Sequence, residues 1–138
     1  MNSLSAAPAE PKFLEAEQGP LEVWRSALNE GRLTLQRCQG CKRHVFYPRT
    51  VCPHCSHDAL DWVASPGQGT VYSVTVVARK AEQGGAYNVV LVDLDEGARL
   101  MSRVDGVAPD EVRIGMRVRH AIVREGSDPV LLFRPEGL

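Results

Sequence analysis

Residues 37–57 read RCQGCKRHVFYPRTVCPHCSH. The stretch holds all four cysteines of the chain, as Cys38-x-x-Cys41 and Cys52-x-x-Cys55, together with three of its four histidines. Ten residues separate the two pairs. A C-x-x-C turn aims two thiolates at one point, and two such turns facing each other close a tetrahedral four-thiolate shell around zinc. Gly40 and Pro53 stand inside the pairs, where the chain must bend tightly. The gap leaves room for a small hairpin, with His44, Val45 and Phe46 forming part of it and Tyr47-Pro48 turning it. A disulfide pair needs an oxidising compartment. A thioredoxin-like centre needs its C-x-x-C at the start of a helix in a βαβ unit, and nothing after Cys41 or Cys55 has helical periodicity. A catalytic zinc keeps one coordination position open, whereas four cysteines at matched spacing close the shell. They are preferred to mixed sets in which His44, His54 or His57 replaces a thiolate. The reading is a structural zinc ribbon over residues 32–64. That span contains no Ile and few other apolar residues. Metal binding, worth roughly 10–16 kcal/mol in zinc-finger peptides, supplies the stability that a small core lacks.

Outward toward the N-terminus lies a helical pattern over 20–31. Pro20 suits a first helical turn, where a missing N–H is harmless. Leu21, Trp24 and Leu28 recur at i, i+3 and i+7 and form one apolar stripe. Gly31 is a natural stop. The stripe packs either on its own domain or on a partner. Residues 1–19 are rich in Ala, Pro and Glu without periodicity and read as a mobile tail. They show neither a basic n-region nor an apolar h-region, which argues against export and for a reducing cytoplasm.

Toward the C-terminus the period changes to two after Ser65-Pro66-Gly67-Gln68-Gly69. Five strands are predicted, at 70–78, 87–94, 99–104, 116–124 and 130–133. Turn residues separate them, among them Gly84-Gly85, Asp95-Glu96-Gly97 and Gly126-Ser127-Asp128-Pro129. In MRVRHAIVR (116–124) the alternation sets Arg117 and Arg119 on one face and Met116, Val118 and Ile122 on the other. Five short strands in so little chain suit a closed or partly closed barrel, which removes exposed edges. An OB-like barrel over 65–138 is the leading reading, and a small sandwich satisfies the same pattern. The fold class is mainly β: N-terminal helix, rubredoxin-like zinc ribbon, five-stranded OB-fold barrel. Ribbon and barrel are expected to draw their stability from separate sources.

The whole chain sets outer bounds. It has 138 residues, 43% of them hydrophobic, and a net charge of -1. The near-neutral balance disfavours a general polyanion binder. No apolar run reaches the roughly 18 residues of a membrane helix. There is no G-x-S-x-G and no P-loop. With all four cysteines on the metal, no thiol remains as a nucleophile.

Helix, ribbon and barrel in this order resemble the zinc-ribbon OB-fold proteins, a family first known only as a domain of unknown function. The stretches that carry the resemblance are LEVWRSALNEGRLTLQRCQGCKRHVFYPRTVCPHCS, GQGTVYSVTVV, YNVVLVDLDEGARLMSRV, RIGMRVR and FRP, spanning residues 21–135. Two departures stand out. Phe46-Tyr47-Pro48-Arg49 replaces a Phe-Pro-Pro-Arg common in the family, and Ala86-Tyr87 replaces a Pro-Tyr pair. The resemblance implies a non-catalytic accessory subunit of a thiolase-like enzyme or thiolase-fold aldolase, acting in acyl-CoA, steroid or aromatic breakdown. It implies one Zn(2+), a share in binding CoA or acyl-CoA, and a heterotetramer with two copies of each chain.

Residues 32–49 agree with an anionic ligand. They carry Arg32, Arg37, Lys42, Arg43 and Arg49 and no acid, and guanidinium forks suit phosphate. Arg49, fixed by Pro48, is the first candidate to face CoA, with Lys42 and Arg43 beside the knuckle. The competing role for Lys42 and Arg43 is to offset the two negative charges of a zinc tetrathiolate. Phe46, Tyr47 and Trp62 either flank an adenine or fill a small core. Leu21, Trp24 and Leu28 are the candidate partner-binding residues. The alternative function is nucleic-acid binding, which ribbons and OB barrels both serve elsewhere. Few strand aromatics and a slightly negative charge make it the second choice.

Overall fold

The computed structural model describes residues 19–137. The expected tail lies outside them except for Gly19, which precedes α1 (Pro20–Asn29) with Pro20 in its first turn. The helix ends in a Schellman motif. The Gly31 N–H donates to Leu28 O at 2.9 Å and the Arg32 N–H to Ala27 O at 2.9 Å, with Gly31 at φ +80°. That left-handed residue is why the helix stops where the glycine stands.

Two antiparallel sheets follow. The ribbon sheet contains β1 (Thr34–Cys38), β2 (His44–Val45) and β3 (Leu60–Ala64) in the order β2-β1-β3. The expected hairpin within the ten-residue gap is not formed. His44 and Val45 pair instead with Arg37 and Gln36, across the first knuckle. This pairing satisfies the Cys38 N–H, which donates to Arg43 O at 2.9 Å. The rest of the gap is held by one side chain. The buried Gln36 amide donates to Arg49 O at 2.6 Å and accepts from Arg49 N–H at 2.7 Å.

The second sheet has five strands: β4 (Gln68–Val77), β5 (Tyr87–Leu94), β6 (Arg99–Ser102), β7 (Arg117–Glu125) and β8 (Asp128–Pro135). Their order is β6-β5-β4-β7-β8. A parallel bridge between Val104 and Phe133 brings the β6 end of the sheet round to β8, so the sheet curls into the partly closed barrel of an OB-fold. The sandwich alternative is thereby set aside. β8 starts earlier than the sequence pattern predicts, because Glu125 pairs with Asp128 and only Gly126-Ser127 remains as the turn. Pro129 is tolerated because β8 lies at one end of the sheet order.

The barrel closes on Val71, Val90, Val92, Leu94, Leu100, Val118 and Phe133. Asn88 is buried among them and satisfied: its Nδ2 donates to Val104 O at 3.1 Å and its Oδ1 accepts from Val104 N–H at 2.8 Å. Leu35, on ribbon strand β1, belongs to the same cluster, and Phe46 and Val63 of the ribbon pack against it. The expectation of separate sources of stability is therefore corrected. The two sheets share a core because alternate residues of β1 face opposite ways, Leu35 into the barrel and Gln36 toward the loop it staples. Among the described residues no helix is long and apolar enough to cross a membrane.

Candidate metal centre

Each cysteine pair builds the same local structure. In the first knuckle the Cys38 N–H donates to Arg43 O and the Lys42 N–H to Cys38 O. In the second the Cys52 N–H donates to His57 O and the Ser56 N–H to Cys52 O. Lys42 and Ser56, each one residue past its second cysteine, both adopt φ +68°. Inside the turns Gly40 N–H points to Cys38 Sγ at 3.3 Å and His54 N–H to Cys52 Sγ at 3.4 Å. N–H groups aimed at sulfur stabilise thiolate.

The two knuckles face each other. Cys38 Sγ lies 3.5 Å from Cys55 Sγ, Cys41 Sγ lies 3.7 Å from Cys52 Sγ, and all four sulfurs lie within 4.8 Å of one another. A disulfide needs a separation of about 2.05 Å, and all four cysteines are free. Zinc–sulfur bonds of about 2.3 Å in a tetrahedron place sulfurs about 3.8 Å apart, so this donor set fits a four-thiolate ion. Cys38 and Cys52 are buried and Cys55 is exposed. The Cys41 backbone N–H, above all, holds the Cys38 thiol down to about 6. Although the His57 backbone N–H favours its thiolate, Cys55 is pushed up to about 11 by the neighbouring Cys38 sulfur and by partial desolvation among the other cysteines. Four adjacent thiols cannot all ionise without a cation to offset the charge, and a divalent metal supplies that offset. His57 is turned to the protein: its Nδ1 accepts from Ala59 N–H at 3.1 Å.

The cations proposed for a ligand divide between two places. Lys42 and Arg43, with His44 and His54, line a recess of about 460 Å³ whose other wall is Glu96-Gly97 of the β5–β6 turn. Both Glu96 carboxylate oxygens are buried there without a hydrogen-bond partner among the described residues. Arg49 lines a different recess with Pro20, Pro48, Thr50 and Val51. Nothing in the sequence marks Glu96 as more than a turn residue; only the fold carries it to the ribbon.

The apolar stripe of α1 meets both sheets. Leu28 is buried within the chain, while Leu21 and Trp24 are partly covered. Trp24 and Phe46 meet edge to face with centroids 5.5 Å apart. They border a groove of about 300 Å³ with Arg25, Met101, Val130 and Leu131, where helix, ribbon and barrel come together. Met101 is 69% exposed beside it. Phe46 packs on the barrel core, Trp62 is partly buried on β3, and Tyr47 is exposed.

Comparison with known proteins agrees with this architecture. Residues 25–61 match the rubredoxin-like zinc ribbon domain of ChsH2, and residues 62–123 match the C-terminal OB-fold domain of ChsH2. A "probable enoyl-CoA hydratase alpha subunit" of Thermomonospora curvata is 40% identical over 117 residues. The aligned part is 81% of this chain but only 36% of that protein's length. A "DUF35 domain-containing scaffold protein" of Methanocaldococcus jannaschii is 28% identical over 88% of this chain and 92% of its own. Among solved structures, a chain of the Ltp2-ChsH2(DUF35) aldolase superposes with a TM-score of 0.72 at 36% identity, covering 82% of this chain and 91% of that one. The chain belongs to the DUF35 family of zinc-ribbon OB-fold proteins, of which ChsH2 is a member.

Proposed function

We propose that this DUF35 protein is a non-catalytic accessory subunit that binds a thiolase-fold enzyme, a thiolase or an aldolase, and helps it hold CoA or acyl-CoA substrate during acyl-CoA, steroid or aromatic degradation. The likeness to a chain of the Ltp2-ChsH2(DUF35) aldolase over nearly its whole length carries the reading. The names of the curated relatives, a hydratase subunit and a scaffold protein, point the same way. Cys38, Cys41, Cys52 and Cys55 hold one structural Zn(2+) in this reading, and the ion supplies folding stability rather than a reaction step. Their convergence also leaves no thiol for acyl transfer.

The proposed division of labour follows the three parts. The helix (20–31) borders the partner-binding groove, with Trp24 as its anchor, Leu21 beside it and Leu28 as the buried support. The ribbon (32–64) offers Lys42 and Arg43 to the CoA phosphates, with Arg49 in the neighbouring recess. The barrel (65–138) carries both. The assembly contains two copies of each chain and works in the cytoplasm. Co-expression with a thiolase-fold enzyme from the same organism, followed by sizing and a CoA-thioester assay, tests this. The expected result is one co-eluting complex whose turnover the isolated accessory chain lacks. Turnover by this chain alone, or separate elution, contradicts it.

A further inference from the structure

Arg119 on β7 and Arg134 on β8 are direct cross-strand neighbours. Gln68 on β4 extends the row on the other side of Arg119. Like charges placed directly opposite each other destabilise an antiparallel pair. The other barrel arginines all have partners. Arg99 is paired with Asp93, Arg103 with Glu125 and Arg117 with Asp95. Arg79 donates to Gly85 O, Arg113 to Asp110 O and Arg124 to the Asn29 side chain and carbonyl. Among the described residues the side chains of Arg119 and Arg134 alone of the eight make no hydrogen bond or ion pair. Glu136, close by in sequence, is turned toward Arg117 at 4.0 Å.

The unpaired row lies in a concavity. Arg119 and Arg134, with Gln68, His120, Pro66 and Pro135, line a recess of about 480 Å³, within the range of roughly 300–1,000 Å³ typical of small-ligand sites. Pro66 and Pro135 stiffen its rim, and the exposed Arg119 and Arg134 side chains both line it.

We propose that this recess binds the phosphate group of a small molecule, a diphosphate or phosphate monoester, through the two guanidinium groups. Each guanidinium presents a planar fork that matches two phosphate oxygens. A ligand with two negative charges cancels the repulsion between the arginines, and the Gln68 amide supplies a further donor at the side of the row. The site is separate from the ribbon cations of the CoA reading, and its test uses this chain alone.

The test is amide chemical-shift titration of the zinc-loaded chain with inorganic pyrophosphate and, in a second arm, with ADP, at constant ionic strength. Saturable shifts at Gln68, Arg119 and Arg134 are expected, weakened at least about tenfold in Arg119→Gln and in Arg134→Gln. Equal binding of the two probes assigns recognition to the phosphates alone, and tighter ADP binding assigns it to a phosphoester ligand. Both variants should retain the wild-type Tm or exceed it without ligand, because each removes a repulsion, and should lose the rise in Tm that pyrophosphate gives the wild type. A response that sodium chloride reproduces at the same ionic strength, or one that both variants keep, overturns the proposal.

Discussion

Among the described residues, Val45 and Leu60 are the apolar side chains clustered with Cys38, Cys41 and Cys52, whereas the barrel closes on a cluster of valines and leucines around Phe133. The ribbon is organised by backbone: two repeated knuckles, each with a left-handed residue and N–H groups aimed at sulfur. The barrel is organised by side-chain alternation, with β5 burying Asn88, Val90, Val92 and Leu94 in strict succession. One region is specified by a metal and the other by the hydrophobic effect, and Leu35 joins them. A junction of this kind lets a segment too small for its own core hold a fixed position on a larger one.

Breaking the metal side should have the largest effect. Cys52→Ala, or chelation of the wild type, removes a contribution of roughly 10 kcal/mol or more, comparable with the whole stability of a small domain. The ribbon sheet should lose its amide dispersion, zinc content should fall to zero, and barrel stability should drop as Leu35 leaves the core. Elemental analysis and denaturant titration read this. An unchanged barrel midpoint would show that the two regions are independent after all.

Next comes the junction. Leu35→Ala should cost about 2–5 kcal/mol, the range for a fully buried leucine, and lower the Tm while one zinc per chain remains bound. Trp24→Ala should weaken binding to the thiolase-fold partner by about 1–2 kcal/mol, the scale of an aromatic hot spot, with zinc content unchanged. If Trp24 serves only its contact with Phe46, the Tm falls and the affinity of the folded protein holds.

The smallest effect lies wholly within the barrel. Burial lowers the pKa of His120 below its ordinary value of 6.5. The unfolded chain therefore binds this proton more readily, and stability falls as pH drops from about 6.5 toward the depressed folded value. His120→Gln should flatten that part of the stability–pH curve. An identical slope in the variant would assign it to other groups.

How much of this was legible in the sequence follows from the same contrast. The knuckles are local, so spacing alone identified Cys38, Cys41, Cys52 and Cys55 as a converging set. Alternation is local too, and all five barrel strands were found, with ends displaced by one to a few residues at turns such as Gly126-Ser127. What depends on pairing between distant residues was hidden. The pairing of β2 across the first knuckle, the Gln36–Arg49 staple and the seat of Leu35 in the barrel core leave no periodic trace. Lys42 and Arg43 read as companions of Arg49 because they are near in sequence, yet they share their recess with Glu96, more than fifty positions away. The facing of Arg119 and Arg134 needs the β7–β8 register, which sequence spacing does not supply.

The accessory-subunit account is tested most directly by native mass measurement of this chain co-expressed with a thiolase-fold enzyme from the same organism, with zinc quantified in the same fraction. The account predicts one species containing two copies of each chain and one zinc per accessory chain, stable through purification. Two species that never associate, together with tight, salt-sensitive binding of this chain to single-stranded nucleic acid, would contradict it.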